Sequence, residues 1–190
     1  FNGGMPAFKT IALIGRLHSP DVAAALATMG AFLRKRGSEV LVESETAANS
    51  QISSFPVADY EGIGAKADLV VVQGGDGSIL SAARHLAMHG VPLVGVNQGR
   101  LGFMTDIASG NMLEAMSEIL EGRYVVEERT LLAAEVHHDG DSVFSTVALN
   151  DVVVNKGAVG RLIEFLVNID GQFVYDLRAD GLIVATPTGS

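Results

Sequence analysis

Residues 73–80 read Gln-Gly-Gly-Asp-Gly-Ser-Ile-Leu, three glycines around one carboxylate, directly after the apolar run Leu69, Val70, Val71, Val72. Such a turn can serve an anion. Glycines let successive backbone N–H groups turn inward on a phosphate, and a helix that begins there adds partial positive charge. Asp76 inside that cradle repels phosphate, so its useful roles are others: to hold a divalent cation, to accept a proton from an attacking hydroxyl, or simply to cap the following helix. The stretch lacks the Lys-Ser or Lys-Thr ending of a Walker loop and the spacing of a GxGxxG dinucleotide turn.

Three further stretches carry polar groups where chemistry could use them. Asn97-Gln-Gly-Arg-Leu-Gly-Phe103 follows another apolar run and offers glycines for close backbone approach, Arg100 for an anion, and Phe103 for a base or for the core. Asn150-Asp151 sets an amide and an acid inside an apolar run. In a strand they face opposite sides, so one of them meets either a site or an interior that demands partners, unless the segment is an edge or a bulge. Arg178-Ala-Asp180-Gly181 and Thr186-Pro-Thr-Gly-Ser190 flank the apolar residues 182–185. The histidines offer less. His85 and His89 share a helix face without the glutamate of a zinc-protease motif and read as exposed, while the adjacent His137 and His138 point apart in a strand.

The elements that must position these groups follow from periodicity. Residues 11–14 form a short apolar run ending at Gly15, the mark of a buried strand. Ser19-Pro20-Asp21 supplies an N-cap, a proline at the first helical position and a first-turn acid; Val22, Leu26, Met29 and Leu33 then recur at helical spacing, and Gly37 follows the basic residues 34–36. Strands are predicted over 40–42, 69–72 and 92–96, and helices over 78–89, closed by Gly90, and 112–120, closed by Gly122. Residues 47–66 are weakly patterned and read as a loop with a short helix. Strands separated by crossover helices imply a doubly wound parallel sheet, which binds ligands outside the carboxyl ends of its strands. Both 73–80 and 97–103 leave such ends.

From Tyr124 the grammar changes: 130–138, 142–155, 162–170 and 172–185 are β-rich and are separated by Asp139-Gly140, 157–160 and Asp170-Gly171. Asp-Gly between strands signals a hairpin. The expected fold class is therefore an N-terminal α/β domain over 5–123 followed by an antiparallel, all-β domain over 124–190, with the boundary near 122–128. Residues 1–4 read as a cloning remnant ahead of Met5, and the stop at Ser190, inside a turn, reads as a truncated β domain. A protein that ended there is expected to fold poorly and to be inactive, because strands would lose their neighbours.

Composition excludes several classes. The 190 residues, 48% hydrophobic, can bury a core, and the absence of cysteine removes disulfides, thiolate nucleophiles and cysteine-ligated metals. A net charge of −9 argues against a nucleic-acid surface. A nucleotide would have to be held by backbone N–H groups, a few arginines and a metal ion. No apolar run approaches the roughly 18 residues of a spanning helix, and no signal peptide is recognisable, so no membrane role and a cytoplasmic location are expected.

GGDG at 74–77, NQGRLGF at 97–103, ND at 150–151 and DGLIVATPTGS at 180–190 together resemble the NAD kinase family in its bacterial form, in the family's order and across Lys9 to Ser190. GGDG is shared with phosphofructokinases and with lipid kinases; the other three stretches are more specific. The resemblance implies a phosphotransferase that moves the γ-phosphoryl group of ATP, or of polyphosphate in some members, to the 2′-hydroxyl of the adenosine ribose of NAD, making NADP. It implies a divalent cation, Mg²⁺, and a homodimer or homotetramer. By the same resemblance Asp76 is the proton acceptor, and Gly74, Gly75 and Gly77 form the phosphate turn. Asp76, Gly77, Phe103, Asn150 and Asp151 lie against the dinucleotide, with Phe103 bordering its adenine. Arg178, Asp180, Thr188, Gly189 and Ser190 reach it from the β domain, in part across a subunit interface, and Arg161 matches a contact position more loosely. No dedicated metal ligands are implied, Asp76 being the one candidate. Position 98 is Gln where many members carry Arg, and position 151 is Asp where Glu is frequent. Two readings stand beside this one: another GGDG kinase, acting on a sugar or lipid, and a non-catalytic dinucleotide-binding module.

Overall fold

Strands that are buried on both faces need β-branched and aliphatic residues without interruption, and two segments supply them. β1 (Thr10–Gly15) is buried from Ile11 onward, and β4 (Leu69–Gln73) is buried throughout. The computed structural model, which describes residues 8–15, 20–98, 104–105, 107–158 and 160–190, places them side by side at the centre of a parallel sheet. With β2 (Glu39–Glu43), β3 (Val57–Ala58), β5 (Leu93–Asn97) and β6 (Ile107–Ala108) the strand order is β3-β2-β1-β4-β5-β6. The chain runs outward from β1 to β3 and then returns to start again at β4. The carboxyl ends of β1 and β4 therefore flank the point where the winding reverses, the position where open α/β sheets bind ligands.

Alternation along the two central strands assigns the helices to faces. Ile11, Leu13, Leu69 and Val71 pack with α1 (Pro20–Lys35), α2 (Ser44–Ser50) and α5 (Met112–Leu120). Ala12, Ile14, Val70 and Val72 pack on the other side with Ile63 of α3 (Tyr60–Lys66) and with Ile79, Ala82 and Leu86 of α4 (Asp76–Leu86). The four residues that predicted α1, Val22, Leu26, Met29 and Leu33, are all fully buried. The expected cap Ser19 lies outside the described residues.

The weakly patterned stretch is more ordered than its sequence indicates. It holds α2, β3 and α3, each too short to show a period, and each helix is begun by a carboxylate. Glu43 accepts from the N–H groups of Glu45 and Thr46, both at 2.8 Å, and Asp59 accepts from Gly62 N–H at 2.8 Å.

α5 ends in an exposed ion cluster. Arg123 pairs with Glu118 and, at 2.7 Å, with Glu121, which also receives Arg36 at 3.0 Å from beyond the end of α1. The hydrogen bond from Arg123 holds the Glu118 carboxyl below its ordinary value, and Arg36, then Arg123, do the same for Glu121. A lowered folded value adds stability above the ordinary carboxylate pKa of 4.5 and loses it as pH falls through the folded value. Exposure keeps the effect small and salt-sensitive. In a carboxyl-carbon NMR titration, Arg123→Ala is expected to raise the Glu118 midpoint toward 4.5 and the Glu121 midpoint by less, because Arg36 remains.

The compact units are Phe1–Glu127 and Glu128–Ser190. The second consists of antiparallel pairs: β7 (Leu132–His138) with β8 (Asp141–Ala148), β10 (Ile163–Ile169) with β11 (Gln172–Ala179), and β9 (Asp151–Asn155) with β12 (Gly181–Ala185). Both Asp-Gly hairpin turns have positive φ at both residues, 51° and 92° at Asp139-Gly140 and 52° and 77° at Asp170-Gly171. That is the backbone whose twist matches paired strands. Two stretches read as continuous are divided: 142–155 breaks at Leu149-Asn150 and 172–185 breaks at Asp180. Phe144, Phe173 and Ile183 are each more than half exposed on these ladders. Among the described residues no helix is long and apolar enough to cross a membrane.

Candidate functional site

The glycine turn leaves β4 at the sheet's reversal point. Gly74 donates to the Val96 carbonyl at 2.9 Å, which ties the turn to β5, and its φ of 159° is accompanied by a close approach: a Cβ there would stand 2.4 Å from Ser78 Oγ. Gly75 caps α4 with its backbone alone, and its carbonyl accepts from Ser78 N–H at 2.9 Å. The reading of Asp76 as the helix cap is thereby corrected: it is the first residue of α4, and no side chain caps the helix. A cap must accept from N–H groups further along the helix, whereas the Asp76 carboxylate instead accepts from Met104 N–H at 2.9 Å. It thus anchors the segment that follows 97–103 against the turn. Gly75 and Gly77 are exposed, with open space where a Cβ would stand. The result is a helix N-terminus with small residues in front of it and one half-buried carboxylate beside it.

Amides surround this turn on the strand ends. Gln73 is fully buried, and among the described residues neither atom of its amide has a hydrogen-bond partner. Asn97 ends β5 and is 5% exposed, and Gln98 Nε2 is buried, without a partner among the described residues. Phe103 and Arg100 lie outside the described residues.

A cavity of about 330 Å³ lies on the same edge of the sheet, lined among others by Gly15 at the end of β1, Glu43 at the end of β2, Tyr60, and Ser81, Arg84 and His85 of α4. Glu43 is buried and spends both oxygens on the start of α2, with Thr46 Oγ1 also donating to it at 2.8 Å. His85 stacks on Tyr60, centroids 4.2 Å apart and planes at 13°. His85 is exposed, as its place on the helix surface predicts, but sequence reasoning did not find this cavity. Its walls come from five elements, β1, β2, α2, α3 and α4, and no local spacing links them. His89 is half-buried with its ring close against Gly64, and it reaches Glu61 at 3.4 Å. Among the described residues no group of three His, Cys, Asp or Glu side chains is placed to hold a metal ion.

In the second unit the structure brings Asn150, Asp151 and the 186–190 turn together. Asp151 opens β9 opposite Ala185 of β12, and the Asn150 carbonyl accepts from Thr186 N–H at 2.8 Å. Thr186 is 2% exposed and donates from Oγ1 to the Leu149 carbonyl at 2.6 Å, while Thr188 receives a hydrogen bond from Arg129 at 3.2 Å. Asn150 Oδ1 is buried and has no hydrogen-bond partner among the described residues. Arg178 and Asp180 are engaged elsewhere: Arg178 pairs across the β10–β11 ladder with Glu164, and Asp180 pairs with Lys156 at 2.5 Å. Arg161 is exposed in the connection before β10.

Comparison with known proteins names this arrangement. Residues 11–124 match the model of the ATP-NAD kinase N-terminal domain, and 149–190 match that of the ATP-NAD kinase C-terminal domain. An NAD kinase of Aromatoleum aromaticum is 57% identical over 184 residues, covering 96% of this chain and 61% of that relative. An NAD kinase of Bordetella pertussis is 50% identical over 183 residues, again covering 96% of this chain and 61% of the relative. The chain thus spans about three fifths of the length of the relatives it matches. The fold is shared with a yeast NADH kinase solved in complex with NADH, at TM-score 0.86 and 23% identity over 97% of this chain and 59% of that one. It is also shared with an NAD kinase from Archaeoglobus fulgidus in complex with ATP, at TM-score 0.67 and 23% identity over 95% and 61% of the two chains. With family models covering both ends of the chain and half its residues shared with named relatives, the chain belongs to the ATP-NAD kinase family.

Proposed function

We propose that the full-length protein phosphorylates the 2′-hydroxyl of the adenosine ribose of NAD with ATP, or with polyphosphate, as donor, and releases NADP. The observation that carries this reading is the placement of Asp76. It is the first residue of α4, at the point where the winding of the sheet reverses, with its carboxylate held by Met104 N–H beside an open glycine turn.

Each group then has a task. Gly75 and Gly77 leave room for the donor's phosphates at the α4 N-terminus, whose N–H groups and dipole favour negative charge. The ribose 2′-oxygen attacks the γ-phosphorus in line, the bond from that phosphorus to the β–γ bridging oxygen breaks, and ADP departs with the electron pair. Asp76 accepts the hydroxyl proton late, as the new bond forms, because an aliphatic hydroxyl is far less acidic than a carboxylic acid. The held carboxylate pre-positions that acceptor.

Mg²⁺ fits this site as an ion carried by the donor, since magnesium is commonly held by one or two carboxylates together with substrate phosphates, and Asp76 is the carboxylate at the turn. When bound, the ion neutralises charge on the transferring phosphoryl group. Asn150, Asp151, Thr188, Gly189 and Ser190, with Phe103, Arg161, Arg178 and Asp180, are assigned to the dinucleotide. For Arg178 and Asp180 this requires exchanging their present ion-pair partners, Glu164 and Lys156. Residues 5–123 are assigned to an α/β domain and 124–190 to the start of a β domain, and the full-length protein to the cytoplasm as a homodimer or homotetramer.

The test is product formation. Full-length protein with ATP, Mg²⁺ and NAD is expected to yield NADP, read by an NADP-specific dehydrogenase. NAD that raises the melting temperature while no ATP-dependent product forms would point to a binding module instead.

A further inference from the structure

The 186–190 turn carries two threonines whose hydroxyls are in different situations. Thr186 Oγ1 donates to the Leu149 carbonyl at 2.6 Å and accepts from the N–H groups of Thr188 at 3.1 Å and Gly189 at 3.4 Å. One proton and two lone pairs are all that a hydroxyl has, so Thr186, 2% exposed, is spent on holding the turn. Thr188 is half-buried, and its Oγ1 accepts from Arg129 Nη1 at 3.2 Å. A guanidinium has donors and no acceptor, so the hydroxyl must turn a lone pair toward Arg129 and its proton away. Among the described residues no acceptor takes that proton.

Arg129 thereby acts on Thr188 in two ways. It ties the side chain to one of the staggered rotamers that an unheld threonine would sample. It also makes the hydroxyl a stronger donor, because hydrogen bonds in a chain polarise one another and the first donor here is a cation. Arg129 stands 59 residues from Thr188 in sequence, ahead of β7 and in the same compact unit. The turn is seated on β9 by other contacts: Thr186 binds the Asn150 and Leu149 carbonyls, and Gly189 lies against the Asn150 backbone. Loss of Arg129 therefore frees one hydroxyl without unseating the turn.

We propose that Arg129 is a positioning residue for the dinucleotide, one that fixes Thr188 as a hydrogen-bond donor to an acceptor atom of NAD. The assignment rests on the reading of Thr188 as a dinucleotide contact. An unheld threonine offers a ligand either a donor or an acceptor; one held from behind by a guanidinium offers only the donor and so selects for an acceptor at that point.

Two measurements on the full-length protein test this. In threonine-methyl NMR without ligand, Arg129→Met is expected to shift the Thr188 signal and average its rotamers while Thr186 keeps its wild-type signal. An unchanged Thr188 signal overturns the proposal. In NAD calorimetry, Arg129→Met and Thr188→Val are each expected to raise Kd about tenfold, the upper end for one neutral hydrogen bond. The double variant should bind no more weakly than either single one, because both changes remove the same directed donor. Arg129→Lys can still give one hydrogen bond to Oγ1 and should restore most of the affinity. Additive losses would mean that Arg129 acts on NAD or on the fold without Thr188, which overturns the proposal. Additive losses in a protein that makes NADP leave the kinase reading standing and remove Arg129 from this role. Coupled losses of NAD affinity without NADP formation keep the positioning role and remove the kinase reading. Wild-type protein that binds no NAD overturns both.

Discussion

Asp76→Asn is expected to lower the rate of NADP formation at saturating ATP and NAD by at least about 10²-fold, the low end for loss of a positioned general base. The substitution is chosen to spare geometry. The asparagine carbonyl can still accept from Met104 N–H, so the contact between the turn and the segment after 97–103 persists. What is lost is the charge and the capacity to take a proton. Removing a carboxylate from the first turn of α4 also costs roughly 0.3–1 kcal/mol of helix-dipole stabilisation, small beside the rate effect. The loss should therefore appear in kcat, with the KM for NAD changing far less. A variant that turns over at the wild-type rate removes Asp76 from the proton transfer and leaves it as the anchor of Met104. Asp76→Ala would confound the two roles, since it also abandons that N–H.

The second large effect is expected at Gly189. A Cβ there would stand 2.5 Å from the Asn150 carbonyl oxygen, 2.6 Å from its carbon and 2.9 Å from its Cα, all of them backbone atoms that cannot rotate away. Gly189→Ala must push the 186–190 turn off the end of β9 and strain the Thr186–Asn150 and Thr186–Leu149 hydrogen bonds. The destabilisation is expected at about 1–3 kcal/mol, the range for overpacking a tight contact. Affinity for NAD should fall at least about tenfold, the equivalent of 1.4 kcal/mol. Gly75→Ala and Gly77→Ala are the controls: nothing stands within 4 Å of the added carbon, so the fold should tolerate both. Urea unfolding midpoints and NAD calorimetry check all three. An unshifted midpoint for Gly189→Ala would show that the turn is free to move and that its packing on Asn150 is dispensable.

What could be read in the residues was whatever has a short period or a local geometry. The apolar runs of β1 and β4, the helical spacing of Val22, Leu26, Met29 and Leu33, and the two Asp-Gly turns each specify structure through neighbours in the chain. Resemblance drew Asn150-Asp151 and 186–190 into one site, and the β9–β12 pairing does bring them together. Features assembled from distant elements were out of reach. The Glu43–Thr46–Gly15 contacts, the Tyr60–His85 stack and the Asp76–Met104 hydrogen bond join residues whose proximity is a product of the sheet order. The stretch 47–66 was legible only as a loop with one short helix, where α2 and α3 both stand, because at seven residues each they rest on their carboxylate caps more than on an apolar stripe. The same limit explains Gln73, which reads as the polar end of a buried strand and gives no hint that its amide has no partner among the described residues.

The pairing of β9 with β12 encloses the whole β10–β11 hairpin, so these four strands form a stem with a smaller stem inside it, with β7 and β8 preceding it in the chain. Closing a long flexible loop costs conformational entropy that rises with its length, and a hairpin formed first shortens the loop that remains. The Asp170-Gly171 turn forms the inner stem from residues close in the chain, which hairpins do within microseconds. With the inner stem formed, fewer free residues separate Asp151 from Ala185 when they pair, and closing that ladder in turn brings the 186–190 turn to Asn150. The order of assembly expected on entropy therefore runs from the Asp170-Gly171 turn inward to the candidate dinucleotide contacts, and that turn lowers the closure cost of a site none of whose residues it includes.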